Sequence, residues 1–323
     1  MAADLAALIR DREHRLPPQT DAYRVLDGTL WRGVFVDALA DRLLVSLRDT
    51  EVSAALAAQL RATGRAVYVK RLDKDVKEAP LHFCGPALPP RFEIRENGVR
   101  YLMDMESGYS QGIFLDQRDN RARVRSLCRT GMTLLNTFSY TGAFSVCAAL
   151  AGAQTTTLDL AQPCLTWCKE NFELNGMNPA DHYYCKGDTL HWLERFARQG
   201  RRFDAIVLDP PTFSRDEKGN IWRVERDYGR LVAKAAACLA PQGWLLCTTN
   251  CRKLTPAAFR RMVQEGIPDA RLTASPMPFD FDGEQYLKCL WAERGGEVRS
   301  TRYEVLNNGA ASPRREKGYM VSP

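Results

Sequence analysis

Three aspartates follow apolar runs at intervals that suit successive strand ends. Asp159 closes Thr156-Thr157-Leu158, Asp188 follows Gly187, and Asp209 closes Ala205-Ile206-Val207-Leu208. Ahead of them, Leu134-Leu135 leads into Asn136-Thr137-Phe138-Ser139-Tyr140-Thr141-Gly142 and an Ala-rich segment. That stretch reads as a buried strand, a turn ending at Gly142 and the start of a helix. Such a turn sets backbone N–H groups and a helix N-terminus against whatever lies at the sheet's carboxyl edge. Asp159, 17 residues past Gly142, is placed to accept from both hydroxyls of a ribose. The same position, ahead of Leu160 and a helix, also suits an N-cap. Asp188 can accept from an adenine amino group or cap the helix that follows. Asp209-Pro210-Pro211-Thr212-Phe213 is the most informative piece. Two prolines force a rigid, extended exit from the strand, so the carboxylate and freed carbonyls point into a cleft as acceptors. An Asp at the end of a buried strand is costly unless it has a partner. Phe213 suits stacking on a flipped base, worth ~1–3 kcal/mol, or ordinary core packing. The turn holds one glycine, not the Gly-x-Gly-x-x-Gly of diphosphate binders. This argues against NAD or FAD and suits an adenosyl group with an uncharged linker.

Those positions require a parallel sheet. After Gly131, strands are predicted at 132–137, 154–159, 181–186, 203–209 and 243–249, with helices near 143–151, 161–175, 188–199 and 223–239. A further helix runs from Pro256 to Glu265, and a last strand from Gln285 to Trp291 closes the fold. Strands alternating with helices imply right-handed crossovers and a sheet covered on both faces. Upstream, Val34–Asp37 and Leu43–Leu47 pair around Ala40-Asp41, a helix spans Val52 to Thr63, and a strand follows at 66–70. A Pro-rich break runs from Pro80 to Pro90, and Asn97-Gly98 marks a hairpin. The expected organisation is a small α+β domain over residues 1–85 and a hairpin with connecting segment over 86–120. An α/β domain over 121–293 and a flexible basic tail over 294–323 complete it.

The chain has 323 residues, a net charge of +6 and pI ≈ 8.8. This admits nucleic acid without establishing it. Arg118, Arg121, Arg123 and Arg125 form either a solvated helix face or a nucleic-acid contact. The 10 cysteines are scattered, many of them in apolar segments (Cys147, Cys238, Cys247, Cys289), as reduced thiols of a cytosolic protein would be. Cys164 and Cys168 stand one helical turn apart, but nothing completes a zinc set, so no metal is expected. No segment approaches the ~20 apolar residues of a membrane span. A soluble, cytoplasmic protein is expected, and its oligomeric state stays open.

The Asn136–Gly142 turn, Asp159, Gly187-Asp188 and Asp209-Pro-Pro-Thr-Phe-Ser214 resemble the S-adenosylmethionine-dependent methyltransferases of large-subunit ribosomal RNA. That group contains methyltransferase I, which makes 5-methylcytosine, and the K domain of methyltransferase K/L, which makes 7-methylguanine. Phe114-Leu-Asp-Gln-Arg118 and Gln285-Tyr-Leu-Lys288 join the likeness, which covers roughly Asp21 to Arg294. The resemblance implies a Rossmann-like class I methyltransferase with a seven-stranded, mostly parallel sheet. It implies that Asn136 to Gly142 cradle the methionine part of the cofactor, with Asp159 on the ribose and Asp188 on the adenine. Gln117 and Arg118 would close over the cofactor, and Asp209 to Phe213 would present the base. The small N-terminal domain would help grip RNA, either free or in an assembling large subunit. An N-terminal PUA-type domain, usual in methyltransferase I, is not expected upstream of Asp21.

Cytosine C5 is a poor nucleophile and needs a thiolate to add at C6 first. In the cytosine-modifying relative that cysteine matches Asn250; Cys251 is one residue off, and a one-residue shift at a strand end turns the side chain to the other side. Guanine N-methylation is therefore favoured over cytosine, with Cys251 a nucleophile or an inert thiol. A methyltransferase of protein or small molecules and a non-catalytic RNA-binding module are the alternatives.

Overall fold

The computed structural model describes residues 4–72, 78–108, 110–215, 219 and 221–295. The sequence beyond 295, read above as a tail, lies outside the described residues.

Helix α1 (Leu5–Arg15) starts at Asp4, whose carboxylate accepts from the Ala6 and Ala7 N–H groups, an ordinary N-cap. A five-stranded sheet follows in the order β1 (Ala22–Asp27), β2 (Val34–Leu39), β3 (Arg42–Leu47), β4 (Ala66–Arg71) and β5 (Leu81–Cys84). Its one parallel pair, β3 and β4, is joined by α2 (Ala54–Ala62). Strand β5 falls inside the expected Pro-rich break; it forms because β4 offers an open edge to pair with. One face of the sheet buries Val25, Val36, Leu43, Val45 and Val67 with Leu5, Ile9, Leu56 and Leu60 of α1 and α2. The other face packs Leu39, Leu44 and Tyr68 with a hairpin, β6 (Arg91–Glu96) and β7 (Val99–Asp104). Asn97 (φ 51°) and Gly98 (φ 76°) make its tight turn.

The second sheet holds seven strands. In chain order they are β8 (Thr133–Thr137), β9 (Gln154–Asp159), β10 (Tyr183–Lys186), β11 (Phe203–Leu208), β14 (Leu239–Thr249), β15 (Ala270–Ser275) and β16 (Lys288–Arg294). In space the order is β10-β9-β8-β11-β14-β16-β15, parallel up to β14, with β16 antiparallel to both neighbours. A short hairpin, β12 (Phe213–Arg215) and β13 (Ile221–Arg223), stands apart from it. Helices α3 (Arg118–Leu127), α4 (Ala143–Leu150), α5 (Gln162–Leu174), α6 (Thr189–Arg198), α7 (Val224–Ala236) and α8 (Pro256–Gly266) cover it. Leu135, Ile206, Leu208, Leu245 and Cys247 face α6, α7 and α8, while Leu134, Ala205, Val207 and Leu246 face α3 and α4. Burial on both faces is why these strands read as continuous apolar runs. Strand β15 went unanticipated because it is a half-exposed edge whose Ala-Arg-Leu-Thr-Ala-Ser has little apolar content. The last strand begins at Lys288, three residues later than expected. No helix among the described residues is long and apolar enough to cross a membrane.

Helix α3 and the segment before β16 join the two sheets through ion pairs. Arg118, 1% exposed, donates to both oxygens of Asp280 at 2.5 and 3.0 Å, and Asp280 also accepts the Arg24 N–H at 2.9 Å. Arg12 donates to Asp282 at 2.7 Å, and the guanidinium of Arg15 lies 4.4 Å from the centre of the Phe279 ring. Arg121 is bidentate to the buried Glu96 of the hairpin at 2.6 and 2.7 Å. Arg123 meets Glu293 at 3.2 Å and stacks over Trp291, and Arg125 donates to the Asn97 carbonyl. Of the four arginines, Arg118 and Arg121 thus point into the protein, Arg123 is half-buried against its own partners, and Arg125 stays exposed on the surface. Removing one partner of a buried pair strands the other charge, at a cost of about 3–5 kcal/mol. Asp280→Ala is expected to lose that much stability in urea unfolding, and the double change Asp280→Leu/Arg118→Met to recover most of it. A midpoint shift in the single variant no larger than that of an exposed substitution would contradict the pair's role.

Candidate active site

The turn after β8 is strained and then fixed. Phe138 (φ 52°), Tyr140 (φ 49°) and Gly142 (φ 76°) are all left-handed, a conformation costing a non-glycine residue roughly 1–2 kcal/mol. A Cβ on Gly142 would lie 2.0 Å from Cys168 Sγ, so the α5 thiol fills the space that any other residue needs. The turn is over-determined by hydrogen bonds. Ser139 N donates to the Leu158 carbonyl at 3.1 Å and Tyr140 N to Asp159 Oδ2 at 2.8 Å. The Tyr140 hydroxyl donates to the Ser110 carbonyl and that of Thr141 to the Gly112 carbonyl, while Asn171 donates to the Thr141 carbonyl. Asn136 donates to Ser145 Oγ from below. Strain held in place this way is characteristic of ligand sites.

This turn forms one wall of a cleft of about 450 Å³, open mouth included. Asn136, Phe138, Ser139, Tyr140 and Thr141 line it with Gln117, Asp209, Arg121 and Phe114. The cleft lies over the β8–β11 boundary, where the strand order reverses, the usual ligand position in open α/β sheets. Gln117 sits in a short 3-10 turn (Leu115–Gln117) ahead of α3. Its amide donates to Asp209 Oδ2 at 3.1 Å, and its oxygen accepts from Asn120 at 2.7 Å. Thr248 donates to the other Asp209 oxygen. Burial pushes the Asp209 carboxyl up to about 6; the Thr248 and Gln117 hydrogen bonds pull it down and Asp116 pushes it further up. Beyond Asp209 the chain is pinned: Trp222 Nε1 donates to the Pro211 carbonyl at 2.9 Å. The buried Tyr228 hydroxyl stands 3.0 Å from both the Leu208 and Thr248 carbonyls, tying the ends of β11 and β14. Pro210 is buried, while Pro211 and Phe213 are exposed at the rim.

The remaining candidates lie around the cleft or away from it. Asp159 reaches the cleft through Tyr140 N, and its other oxygen accepts from Ala161 N at 2.9 Å, so it both fixes the turn and begins α5. Burial raises its pKa. Gly187 N donates to the Asp159 carbonyl. Asp188 is exposed and caps α6 through His191 N at 2.8 Å. Leu160 is 40% exposed on the same carboxyl edge. From Asp188 to Asp209 the edge spans three strand spacings, ~14 Å. Its inner part is the cleft, and its outer end, at Leu160 and Asp188, is exposed. Arg118 points away to Asp280 and does not line the cleft. Cys251 is 4% exposed within the apolar cluster that holds Leu254 and Phe259, and Asn250 is the exposed residue at that strand end. Sequence reasoning missed Phe114 and Arg121 as lining residues. Phe114 is 43% exposed, 5.5 Å from the Tyr140 ring, and is the first residue of the stretch that carries Gln117. Arg121 follows Gln117 by one helical turn, a spacing visible in the sequence.

The donor set fits an adenosyl ligand with an amino-acid arm. Ser139 Oγ is buried with no hydrogen-bond partner among the described residues, a polar group left for something in the cleft. Gly142 gives backbone approach, and the edge carboxylates are acceptors for hydroxyl and amino donors.

A Rossmann-like sheet with this carboxyl-edge cleft is the architecture of S-adenosylmethionine-dependent methyltransferases. The S-adenosylmethionine-dependent methyltransferase family matches residues 17–280, and the chain belongs to it. Its cofactor is S-adenosylmethionine. The chain is 32% identical to ribosomal RNA large subunit methyltransferase K of Neisseria meningitidis serogroup B, over 83% of this chain and 79% of that one. It is 38% identical to ribosomal RNA large subunit methyltransferase I of Shewanella amazonensis, over 59% of this chain and 47% of that one. Against the K/L protein of Alteromonas mediterranea it spans only 28% of the relative's length, at 34% identity. Among solved structures, SMU.776 complexed with SAH superposes with a TM-score of 0.80 at 28% identity, over 91% of this chain and 82% of that one.

Two expectations follow. Gly142→Ala must distort the turn or displace Cys168, so S-adenosylmethionine affinity by calorimetry is expected to fall at least about tenfold. Unchanged affinity would mean that the turn does not hold the ligand. Asp209 titrates near 6 when folded against roughly 3.9 unfolded. Its stabilising contribution is therefore full below pH ~4 and lost as pH rises through ~6. Asp209→Asn is expected to flatten the stability profile over that window by on the order of 2 kcal/mol, read from urea midpoints at several pH values. Parallel profiles for the two proteins would refute the shift.

Proposed function

We propose that this chain methylates a guanine nitrogen of large-subunit ribosomal RNA, free or in an assembling particle, in the cytoplasm where that RNA is made into subunits. The RNA substrate rests on the relatives, which carry ribosomal RNA in their names. The choice of base rests on one observation: the thiol just past β14, Cys251, is packed in an apolar cluster while Asn250 holds the exposed strand end. A thiol packed this way favours chemistry that needs no covalent partner, and a guanine nitrogen needs only orientation and an acceptor.

S-adenosylmethionine supplies a methyl group on a sulfonium, open to in-line attack. The chain's residues do the positioning. The Asn136–Gly142 turn and Ser139 hold the amino-acid side, with Asp159 toward the ribose and the Asp188 end of the edge toward the adenine. Asp209, with the Pro210–Pro211 ledge fixed by Trp222, presents the base. Phe213, 51% exposed with Arg223 5.7 Å from its ring centre, is a stacking platform at the rim. The N-terminal α+β sheet closes the far side and helps to grip RNA.

Mass analysis of nucleosides from large-subunit RNA of a strain lacking the gene is expected to show one missing methylguanosine, restored by the purified protein. Cys251→Ala is expected to keep turnover within about threefold. Loss of turnover with cofactor affinity intact would overturn the guanine reading, and an unchanged nucleoside profile would overturn the RNA reading. Asp159→Ala is expected to weaken S-adenosylmethionine binding about tenfold or more by the loss of a charged acceptor.

A further inference from the structure

The Leu115–Gln117 turn stands between the two sheets and presents adjacent side chains to different neighbours. Gln117 is bonded to Asp209 on the cofactor side. Asp116 meets Tyr286, whose hydroxyl donates to its Oδ2 at 2.9 Å. Asp116 is partly exposed, and Tyr286 is its only hydrogen-bond partner among the described residues. It has no ion pair among them either. The nearby guanidinium of Arg24 is already taken by Asp37, through both of that carboxylate's oxygens. Arg121 is taken by Glu96. Asp116 is close enough to Asp209 to act on its titration. A half-buried carboxylate held by one neutral hydroxyl keeps most of its acceptor capacity unused, and leaving it so is costly. It sits one residue from the cleft, on the side facing the N-terminal sheet.

We propose that Asp116, oriented by Tyr286, is the specificity-determining residue that reads the acceptor base: its free lone pairs accept from two adjacent N–H donors, the N1–H and 2-amino groups of guanine. Cytosine and adenine present no such pair on one edge, so the carboxylate rejects them by leaving itself desolvated and unpaired. This rests on the guanine reading given above. Asp116 is a recognition group, and Tyr286 is a positioning residue that acts through it.

The test uses the full chain, S-adenosylmethionine and large-subunit RNA transcripts carrying guanosine or inosine at the modified position, first located by mass mapping of the wild-type product. Inosine lacks the 2-amino donor. Wild type is expected to prefer guanosine by about tenfold or more in kcat/KM. Asp116→Asn is expected to cut kcat/KM for guanosine by about 100-fold, mostly through KM for RNA, and to shrink the preference to about threefold or less. Tyr286→Phe is expected to move both quantities in the same direction and less far. Cofactor affinity by calorimetry stays within about twofold in both variants. Retention of the full guanosine preference by Asp116→Asn overturns the assignment and leaves the guanine reading standing. So does loss of cofactor binding or of folding in both variants, which would make the pair a structural strut. A methylated cytosine in the wild-type product, or no transfer to RNA, overturns both.

Discussion

Cys168 Sγ occupies the space beside Gly142 so fully that the turn after β8 can be made only with glycine there, and only with its neighbours bent left-handed. The strain is local but its restraints are not. They come from β9 through Leu158 and Asp159, from α5 through Asn171, and from the segment before the 3-10 turn through Ser110 and Gly112. Three separate stretches of chain must be in place before this loop has its shape. The ligand cradle is therefore a product of the finished fold, preorganised in the sense that matters for positioning chemistry. Asp159 shows how one carboxylate serves two ends: it holds the loop through Tyr140 N and opens α5 through Ala161 N.

The arginines of α3 point to a second constraint. Arg118 and Arg121 are almost fully buried and each is bidentate to a buried carboxylate from a distant part of the chain. Desolvating such pairs costs about as much as their attraction returns, so their value lies in register rather than raw stability. Arg118 can satisfy Asp280 only when the segment before β16 is seated on the N-terminal sheet, where Arg24 N completes the carboxylate's partners. Arg121 can satisfy Glu96 only when the hairpin is docked. The N-terminal sheet is thereby held in place against the seven-stranded one.

Between these two constraints lies the Leu115–Gln117 turn. One side chain is bonded into the cofactor cleft and its neighbour faces the other sheet. Phe114, Gln117 and Arg121 reach the cleft from this one short stretch. The inner cleft carries the raised Asp209 carboxyl, while Asp188 at the outer end of the edge is exposed. Burial differs between the two ends of one edge, and the chemistry each can support differs with it.

The alternation of apolar runs with helices was legible because strands buried on both faces leave continuous Val, Ile and Leu stretches, and Asp-Pro-Pro cannot continue a ladder. Those two signals placed six of the seven strands of the large sheet, the Asn136–Gly142 turn and the three aspartates at strand ends. Strand β15 and β5 were illegible because an edge strand needs a partner more than it needs a pattern. The side-chain destinations were illegible for a similar reason. Arg118 and Gln117 are adjacent, yet one turns to Asp280 and the other to Asp209. Cys251 and Asn250 are adjacent, yet one enters an apolar cluster and the other meets solvent. Sequence determined which backbone ends share an edge, because periodicity and proline are local properties. Only tertiary structure decided which side chains share a cavity, because burial and pairing depend on residues far apart in the chain, 162 positions for Arg118 and Asp280 and 270 for Arg12 and Asp282.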